Sequence, residues 1–198
     1  MSNPTKVTGV ILAGGLARRM NNQDKGLVLF HRRPMVSYAI DSIKPLVDQL
    51  IINANRNLDA YRQFGLPVVS DQNGNFEGPL AGILSAMTYA DTELLLVLPC
   101  DSPLITTDHL QRLLKAGLNP EIDVAVAFDG ERLHPVFLAI KTTLESSLKN
   151  YLGSGERKID RWLIKHRMTQ VDFSDDPEVF VNVNTLAELS ELEEQSNE

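Results

Sequence analysis

Residue types suited to a phosphorylated ligand gather near the start of the chain. The stretch Val10-Ile11-Leu12-Ala13-Gly14-Gly15-Leu16-Ala17-Arg18-Arg19-Met20 is followed closely by Asp24-Lys25. An apolar run ended by paired glycines lets the backbone turn and come close to a ligand, because glycine carries no Cβ. Cations just beyond such a turn suit an anion. If that anion is a triphosphate, backbone N–H groups near Gly14 and Gly15 approach the phosphates while Arg19 and Lys25 neutralise them. Neither standard glycine template fits, since there is no G-x-G-x-x-G and no Lys-Ser/Thr pair five residues after a glycine. The competing reading is a plain strand-to-helix turn with solvent-facing arginines; the density of cations in an acidic chain weighs against it.

Other candidates stand singly, further along. Asp101 follows the apolar run 94–98 and is held between Pro99 and Pro103. A carboxylate fixed at a strand end suits Mg²⁺, which takes oxygen ligands, keeps several waters and bridges to substrate phosphates; the alternative is a turn cap. Asn53 and Asp71 each follow an apolar segment. Asn53 offers both a donor and an acceptor, fit for a ribose hydroxyl or a base edge, although both residue types also serve in turns. Asn182 and Asn184 frame a short loop and read as pocket lining. Cys100 has no accompanying histidine motif and reads as a packed thiol. His134 either positions a strand or lines a second-substrate side. Arg157, Lys158 and Arg161 make either a basic patch for a second anion or a solvated helix face.

These residues need a scaffold, and the periodicity supplies one. Apolar runs at 7–13, 50–52, 67–70 and 94–98 read as buried strands. Helical spacing follows at 35–43, 58–64, 83–90 and 107–114, with Pro45, Gly65 and Gly117 as stops. The segment 71–82 reads as a loop. Residues 123–128 and 135–140 form a strand pair across Asp129-Gly130. Helical patterns then cover 141–152 and 158–164, with strands expected at 169–173 and 179–181. Thr185 and Glu188 form a capping box for a helix over 186–192. Strands alternating with helices imply an α/β fold: a Rossmann-like, doubly wound, mostly parallel sheet with helices on both faces. Ligands in such sheets bind outside the carboxyl ends of the strands. That rule gathers Gly14, Gly15, Asn53, Asp71, Asp101, Asn182 and Asn184 onto one rim.

Composition sets the outer bounds. At 198 residues, with 43% hydrophobic and 23% charged, the chain is expected to form a single domain over 1–198, with 1–6 and 193–198 frayed. A net charge of -7 argues against broad attachment to nucleic acid or an anionic membrane. The single cysteine cannot form an internal disulfide. No signal peptide or membrane span is apparent, so the expected compartment is the cytoplasm.

The loop Leu12-Ala13-Gly14-Gly15-x-x-x-Arg19-Met20-x-x-x-Asp24-Lys25 resembles the signature of nucleotidyltransferases with a Rossmann-like, nucleotide-diphospho-sugar-transferase-like fold. With Asn53-Ala54-Asn55-Arg56, Gly78-Pro79-Leu80-Ala81-Gly82, Pro99-Cys100-Asp101-Ser102-Pro103, His134-Pro135 and Phe180-Val181-Asn182-Val183-Asn184-Thr185, it is similar more narrowly to the molybdenum cofactor guanylyltransferases, the MobA family. The resemblance implies transfer of GMP from GTP to the terminal phosphate of molybdopterin or Mo-molybdopterin, with release of pyrophosphate. It implies that Leu12, Ala13, Gly14, Lys25, Asn53, Asp71 and Asp101 bind the nucleotide and that Asp101 holds Mg²⁺. Gly15 and Arg19, with Lys25 and Asp101, form the catalytic set, and Asn182 and Asn184 face the pterin. Further implied partners are proteins of molybdenum insertion and chaperones of the acceptor molybdoenzymes. Ala13-Gly14-Gly15 and the Pro-Cys-Asp segment favour guanine over cytosine. The chain departs from the family pattern after Met20, where Asn21-Asn22-Gln23 replaces the usual glycine. Two alternatives are kept: a nucleotidyltransferase of other specificity, using CTP or a sugar phosphate, and a nucleotide-binding regulatory module without turnover.

Overall fold

Strand β1 (Val7–Leu12) is buried on both faces and becomes an interior strand of a sheet. The computed structural model describes residues 5–15, 23–71, 78–183 and 185–195. After β1 come a short hairpin, β2 (Leu29–Phe30) and β3 (Arg33–Pro34), then helix α1 (Met35–Ile43) and β4 (Gln49–Asn53). Helix α2 (Leu58–Arg62), β5 (Val68–Val69), α3 (Pro79–Tyr89), β6 (Leu94–Pro99) and α4 (Thr107–Gly117) follow. The chain continues through β7 (Val124–Phe128), β8 (Leu133–Lys141), α5 (Glu145–Gly153), α6 (Ile159–Leu163), β9 (Met168–Asp172) and α7 (Leu186–Gln195).

The described strands build a seven-stranded sheet in the order β5-β4-β1-β6-β8-β7-β9. Its pairings are parallel except those of β8, which runs antiparallel to both neighbours. Residues along β1 and β6 alternate between the faces, as the two-residue period of a strand requires. Ile11, Leu94, Leu96 and Leu98 pack with Val36 and Ile43 of α1 and Leu110 and Leu113 of α4. Val10, Leu95 and Val97 pack on the other face with Leu80 and Ile83 of α3, Leu148 of α5 and Trp162 of α6. Helices therefore cover both faces, as the uninterrupted apolar strands demand. Truncating a fully buried leucine such as Leu96 to alanine would cost about 2–5 kcal/mol.

Two expected elements are corrected. Helix α3 begins at Pro79, not at 83, so Pro79–Gly82 is helical rather than loop. Gly78 takes φ 83°, a conformation suited to glycine, and Pro79 then supplies the fixed φ of a first helical residue. Residues 179–181 do not form a strand: Pro177–Phe180 is a 3₁₀ helix. Val179 and Phe180 are buried among aromatic rings instead of pairing with a sheet, an outcome that a three-residue apolar run leaves open. The capping box at the last helix is present, with Thr185 and Glu188 exchanging backbone-to-side-chain hydrogen bonds. No described helix is long and apolar enough to cross a membrane.

Candidate functional site

The parallel strands β4, β1 and β6 end level with one another: Leu12 lies opposite Asn53 on one side and Pro99 on the other. Just beyond, Ala13 N–H donates to the Asn53 carbonyl (2.8 Å) and Cys100 N–H to the Leu12 carbonyl (3.1 Å). The loops that carry Gly14, Asp71 and Asp101 therefore leave the sheet side by side.

At the Asp101 end, Lys25 Nζ lies 2.7 Å from Asp101 Oδ2, with side-chain exposures of 22% and 12%. Lys25 opens a single 3₁₀ turn, Lys25–Leu27, whose cap is Asp24. Asp24 is buried and accepts from Tyr61 Oη (2.5 Å), Asn57 Nδ2 (3.0 Å) and Gly26 N–H (3.3 Å), with Arg56 Nε at 3.5 Å. A Cβ on Gly26 would lie 2.5 Å from Tyr61 Oη, so only glycine lets the turn close on that network. Burial, with Cys100 and the Asp24 carboxylate beside it, pushes the Tyr61 phenol far up and keeps it a neutral donor. Asp24 thus roots the turn from which Lys25 reaches Asp101. Burial, with Asp101 and Asp24 nearby, likewise pushes the Cys100 thiol well up, which agrees with a packed thiol and not a nucleophile.

At the other end, Asn53, Asn55 and Asp71 interlock. Asn53 Nδ2 donates to Asp71 Oδ1 (2.9 Å) and to the Val69 carbonyl (3.2 Å). Both partners are acceptors, so the amide orientation is fixed and Asn53 Oδ1 faces the other way. A Cβ on Gly82 would lie 2.3 Å from that oxygen, and one on Gly14 would lie 3.5 Å from it. Asn53 Oδ1, on a residue only 3% exposed, therefore sits against Gly82 in the first turn of α3, on the side of the turn after β1. The glycines act here by leaving space: neither Gly14 nor Gly15 adopts positive φ. Asn53 Oδ1 on one side of the amide and the Asp71 carboxylate on the other each offer acceptors, suited to a donor-rich edge of a base or to a ribose hydroxyl.

The third side follows the 3₁₀ helix. Val183 N–H donates to the Asp101 carbonyl (3.0 Å) and Ser102 Oγ to Asn182 Oδ1 (2.5 Å), so the Asn182 segment is stitched to the Asp101 loop. His134 stacks on Phe180 at 4.2 Å and its Nε2 lies 2.6 Å from Asp129 Oδ2. The Arg132 and Glu131 backbone N–H groups and His134 hold the Asp129 carboxyl well below the usual carboxylate range. His134 accordingly braces the turn between β7 and β8 against the aromatic layer, the positioning role among its two readings.

The structure thus brings Leu12, Ala13, Gly14, Asn53 and Asp71 together at one end and Lys25, Asp101 and Asn182 at the other. Gly15 is exposed, and among the described residues nothing lies within 4 Å of its Cβ position. Arg19 and Asn184, with Arg18, Met20, Asn21 and Asn22, lie outside the described residues. Asp24 and Asn55 stand within the motifs quoted above but carry no assigned role there, and Tyr61 stands in none. For Asn55 a signal existed: it stands two residues beyond Asn53 in the polar cluster that follows the strand, and both side chains reach Asp71. Nothing in the spacing links Asp24 to Tyr61. Among the described residues no group of three or more His, Cys, Asp or Glu side chains could hold a metal. Mg²⁺ needs fewer, since one or two carboxylates with water and substrate phosphates suffice, and Asp101 at the strand end fits that donor set.

Residues 9–171 match the model of the MobA-like NTP transferase domain family. The chain is 50% identical to the molybdenum cofactor guanylyltransferase of Shewanella loihica over 96% of each chain. It is 49% identical to that of Shewanella halifaxensis, over 96% of this chain and 94% of the other. Among solved structures, molybdopterin-guanine dinucleotide biosynthesis protein A from Archaeoglobus fulgidus superposes with a TM-score of 0.81 at 19% identity, covering 96% of this chain and 98% of that one. At that identity the superposition supports the fold alone.

Proposed function

We propose a reaction for a chain that belongs to the MobA-like NTP transferase family and whose half-identical relatives are molybdenum cofactor guanylyltransferases: GMP passes from GTP to the terminal phosphate of molybdopterin or Mo-molybdopterin. The products are the molybdopterin guanine dinucleotide and pyrophosphate. A terminal phosphate oxygen of the pterin attacks the α-phosphorus in line. The new P–O bond forms as the bond from the α-phosphorus to the bridging oxygen breaks, and that electron pair leaves with pyrophosphate. The attacking oxygen is already anionic, so the protein's work is positioning and charge neutralisation, not proton removal.

In this reading the backbone of Leu12, Ala13 and Gly14 lies along the nucleotide, and Asn53 and Asp71 take its base end. Lys25, Gly15 and Arg19 meet the triphosphate. Asn182 and Asn184 face the pterin. Mg²⁺ held by Asp101 would offset the charge gathering on the phosphates. Lys25 reaches the same carboxylate at 2.7 Å, so Mg²⁺ held there would add its charge to that of a fixed cation. The observation that most supports the reading is this pairing of Lys25 and Asp101 beside an all-acceptor cluster at the neighbouring strand ends. The reading extends to one nucleotidyltransferase domain in the cytoplasm, receiving its pterin from molybdenum-insertion proteins and handing its product to chaperones of acceptor enzymes.

The test is transfer by the purified chain with molybdopterin, Mg²⁺ and each of GTP, CTP, ATP and UTP. Dinucleotide and pyrophosphate are expected with GTP. Preferential use of CTP, or tight GTP binding without product, would overturn the assignment.

A further inference from the structure

The Asn55 side chain has no part in the reaction described above, yet it makes a closed contact within the site. Its Nδ2 donates to Asp71 Oδ2 at 2.7 Å, and its Oδ1 accepts from the Asp71 backbone N–H at 2.8 Å. The backbone N–H can only donate and the carboxylate accepts, so the orientation of this amide is settled by its partners. Asn53 Nδ2 holds the other carboxylate oxygen, Oδ1, at 2.9 Å. Asp71 is therefore gripped at both oxygens and at its own amide, by two neutral side chains that carry no compensating charge. A Cβ on Gly14 would lie 3.0 Å from Asn55 Nδ2, which sets this grip directly against the turn after β1.

We infer that Asn55 is a positioning residue that sets base specificity by fixing the carboxylate of Asp71; this rests on the reading that Asn53 and Asp71 take the base end of the nucleotide. The chemistry of the bases supplies the reason. Guanine presents two adjacent donors, N1–H and N2–H₂. Adenine and cytosine each set a ring-nitrogen acceptor beside an amino group, and uracil flanks one N–H with two carbonyls. A carboxylate oxygen already holding one amide retains a second acceptor site. The fixed Asp71 carboxylate, with one acceptor site remaining on each oxygen, thus presents acceptors only: guanine satisfies it with paired donors, and the other bases set an acceptor against it. A carboxylate free to rotate would lose that discrimination, turning to water or to whichever donor a wrong base offered. Asn55 prevents the rotation without touching the base, in the way outer partners orient the groups that bind a ligand directly.

The test compares Asn55→Leu, which is near in size but lacks both hydrogen bonds, with the parent on GTP, ITP and ATP. ITP lacks the guanine amino group and so reports on one donor alone. The expected result is a GTP preference over ITP and ATP reduced about 10- to 100-fold, carried in KM, with kcat at saturating GTP within about threefold of the parent. A purely structural role would lower kcat or the active fraction and leave the base preference unchanged; an unchanged GTP:ITP ratio overturns the proposal. Asn55→Asp gives a second measurement should the leucine variant fold poorly. It keeps the acceptor for the Asp71 N–H but sets a carboxylate against Asp71 Oδ2, and it should lower the same ratio; a ratio equal to the parent's refutes the inference. Asp71→Asn, assayed in parallel, separates the two layers. If it too leaves the ratio intact, the base-end reading fails and the inference with it. If it lowers the ratio while both Asn55 variants do not, the positioning role alone fails.

Discussion

Replacing Lys25 with methionine removes one charge and keeps most of the stem. In the structure its ammonium sits 2.7 Å from Asp101 Oδ2. At an effective dielectric of ~20 the bare attraction at that distance is about 6 kcal/mol. Most of this is returned as desolvation, and exposures of 22% and 12% place the pair between a surface bridge and a buried one. A net loss of about 1–3 kcal/mol in stability follows. The catalytic effect is separate. A charge-assisted hydrogen bond to a phosphate oxygen is worth about 1.5–3 kcal/mol, which corresponds to a fall of roughly 10- to 150-fold in kcat/KM for GTP. The assay is pyrophosphate release at saturating molybdopterin over a GTP titration, with urea unfolding run on the same samples. Lys25→Arg should recover part of the loss, because it restores the charge but not the compact ammonium. A Lys25→Met enzyme with kcat/KM within twofold of the parent would refute the placement of Lys25 on the triphosphate. A large stability loss with unchanged kinetics would show that its partnership with Asp101 is structural.

Gly82→Ala, inside α3, would ordinarily stabilise the helix by up to about 1 kcal/mol. Here the added Cβ would fall 2.3 Å from Asn53 Oδ1 and 3.0 Å from Leu12 Cδ2, so Asn53 must move. A raised KM for GTP without loss of helix by circular dichroism is expected; an unchanged KM would show that Asn53 does not touch the nucleotide. Far from the site, Asp123 accepts from Arg167 Nη2 at 2.7 Å and Nε at 3.1 Å, and these side-chain hydrogen bonds lower its carboxyl to about 2. Because the folded value lies below the ordinary ~3.9, the stability it contributes is complete above about pH 4 and is lost as pH falls towards 2. Urea unfolding of the parent and Asp123→Asn should differ at pH 6 and converge near pH 2; an equal gap at both would count against the bond.

How much of this was legible in the sequence depends on where the information lay. The apolar runs of β1, β4 and β6 could be read directly, because strands buried on both faces leave an unbroken hydrophobic signature. The parallel order of these strands and β5 then places Asn53, Asp71 and Asp101 on one rim. The start of α3 was hidden because Gly78-Pro79 looks like loop composition while also serving as a helix entry. Residues 179–181 misled because three apolar residues suit a strand or a buried 3₁₀ turn equally. Above all, the sequence could nominate Lys25, Asn53 and Asp71 but not the contacts that hold them. Asp24 meets Tyr61 from 37 residues away, and Asp71 meets Asn55 from 16, and no local pattern encodes pairings of that range.

The central claim is transfer of a nucleotidyl group with attack at the α-phosphorus. GTP labelled either at the α- or at the γ-phosphate, incubated with molybdopterin, Mg²⁺ and the purified chain, tests it directly. The expected result is α-label in the pterin dinucleotide, with the γ-label of the consumed GTP wholly in pyrophosphate. Label from the γ-position in the pterin product, or α-label remaining only in GTP and its hydrolysis products, would contradict it.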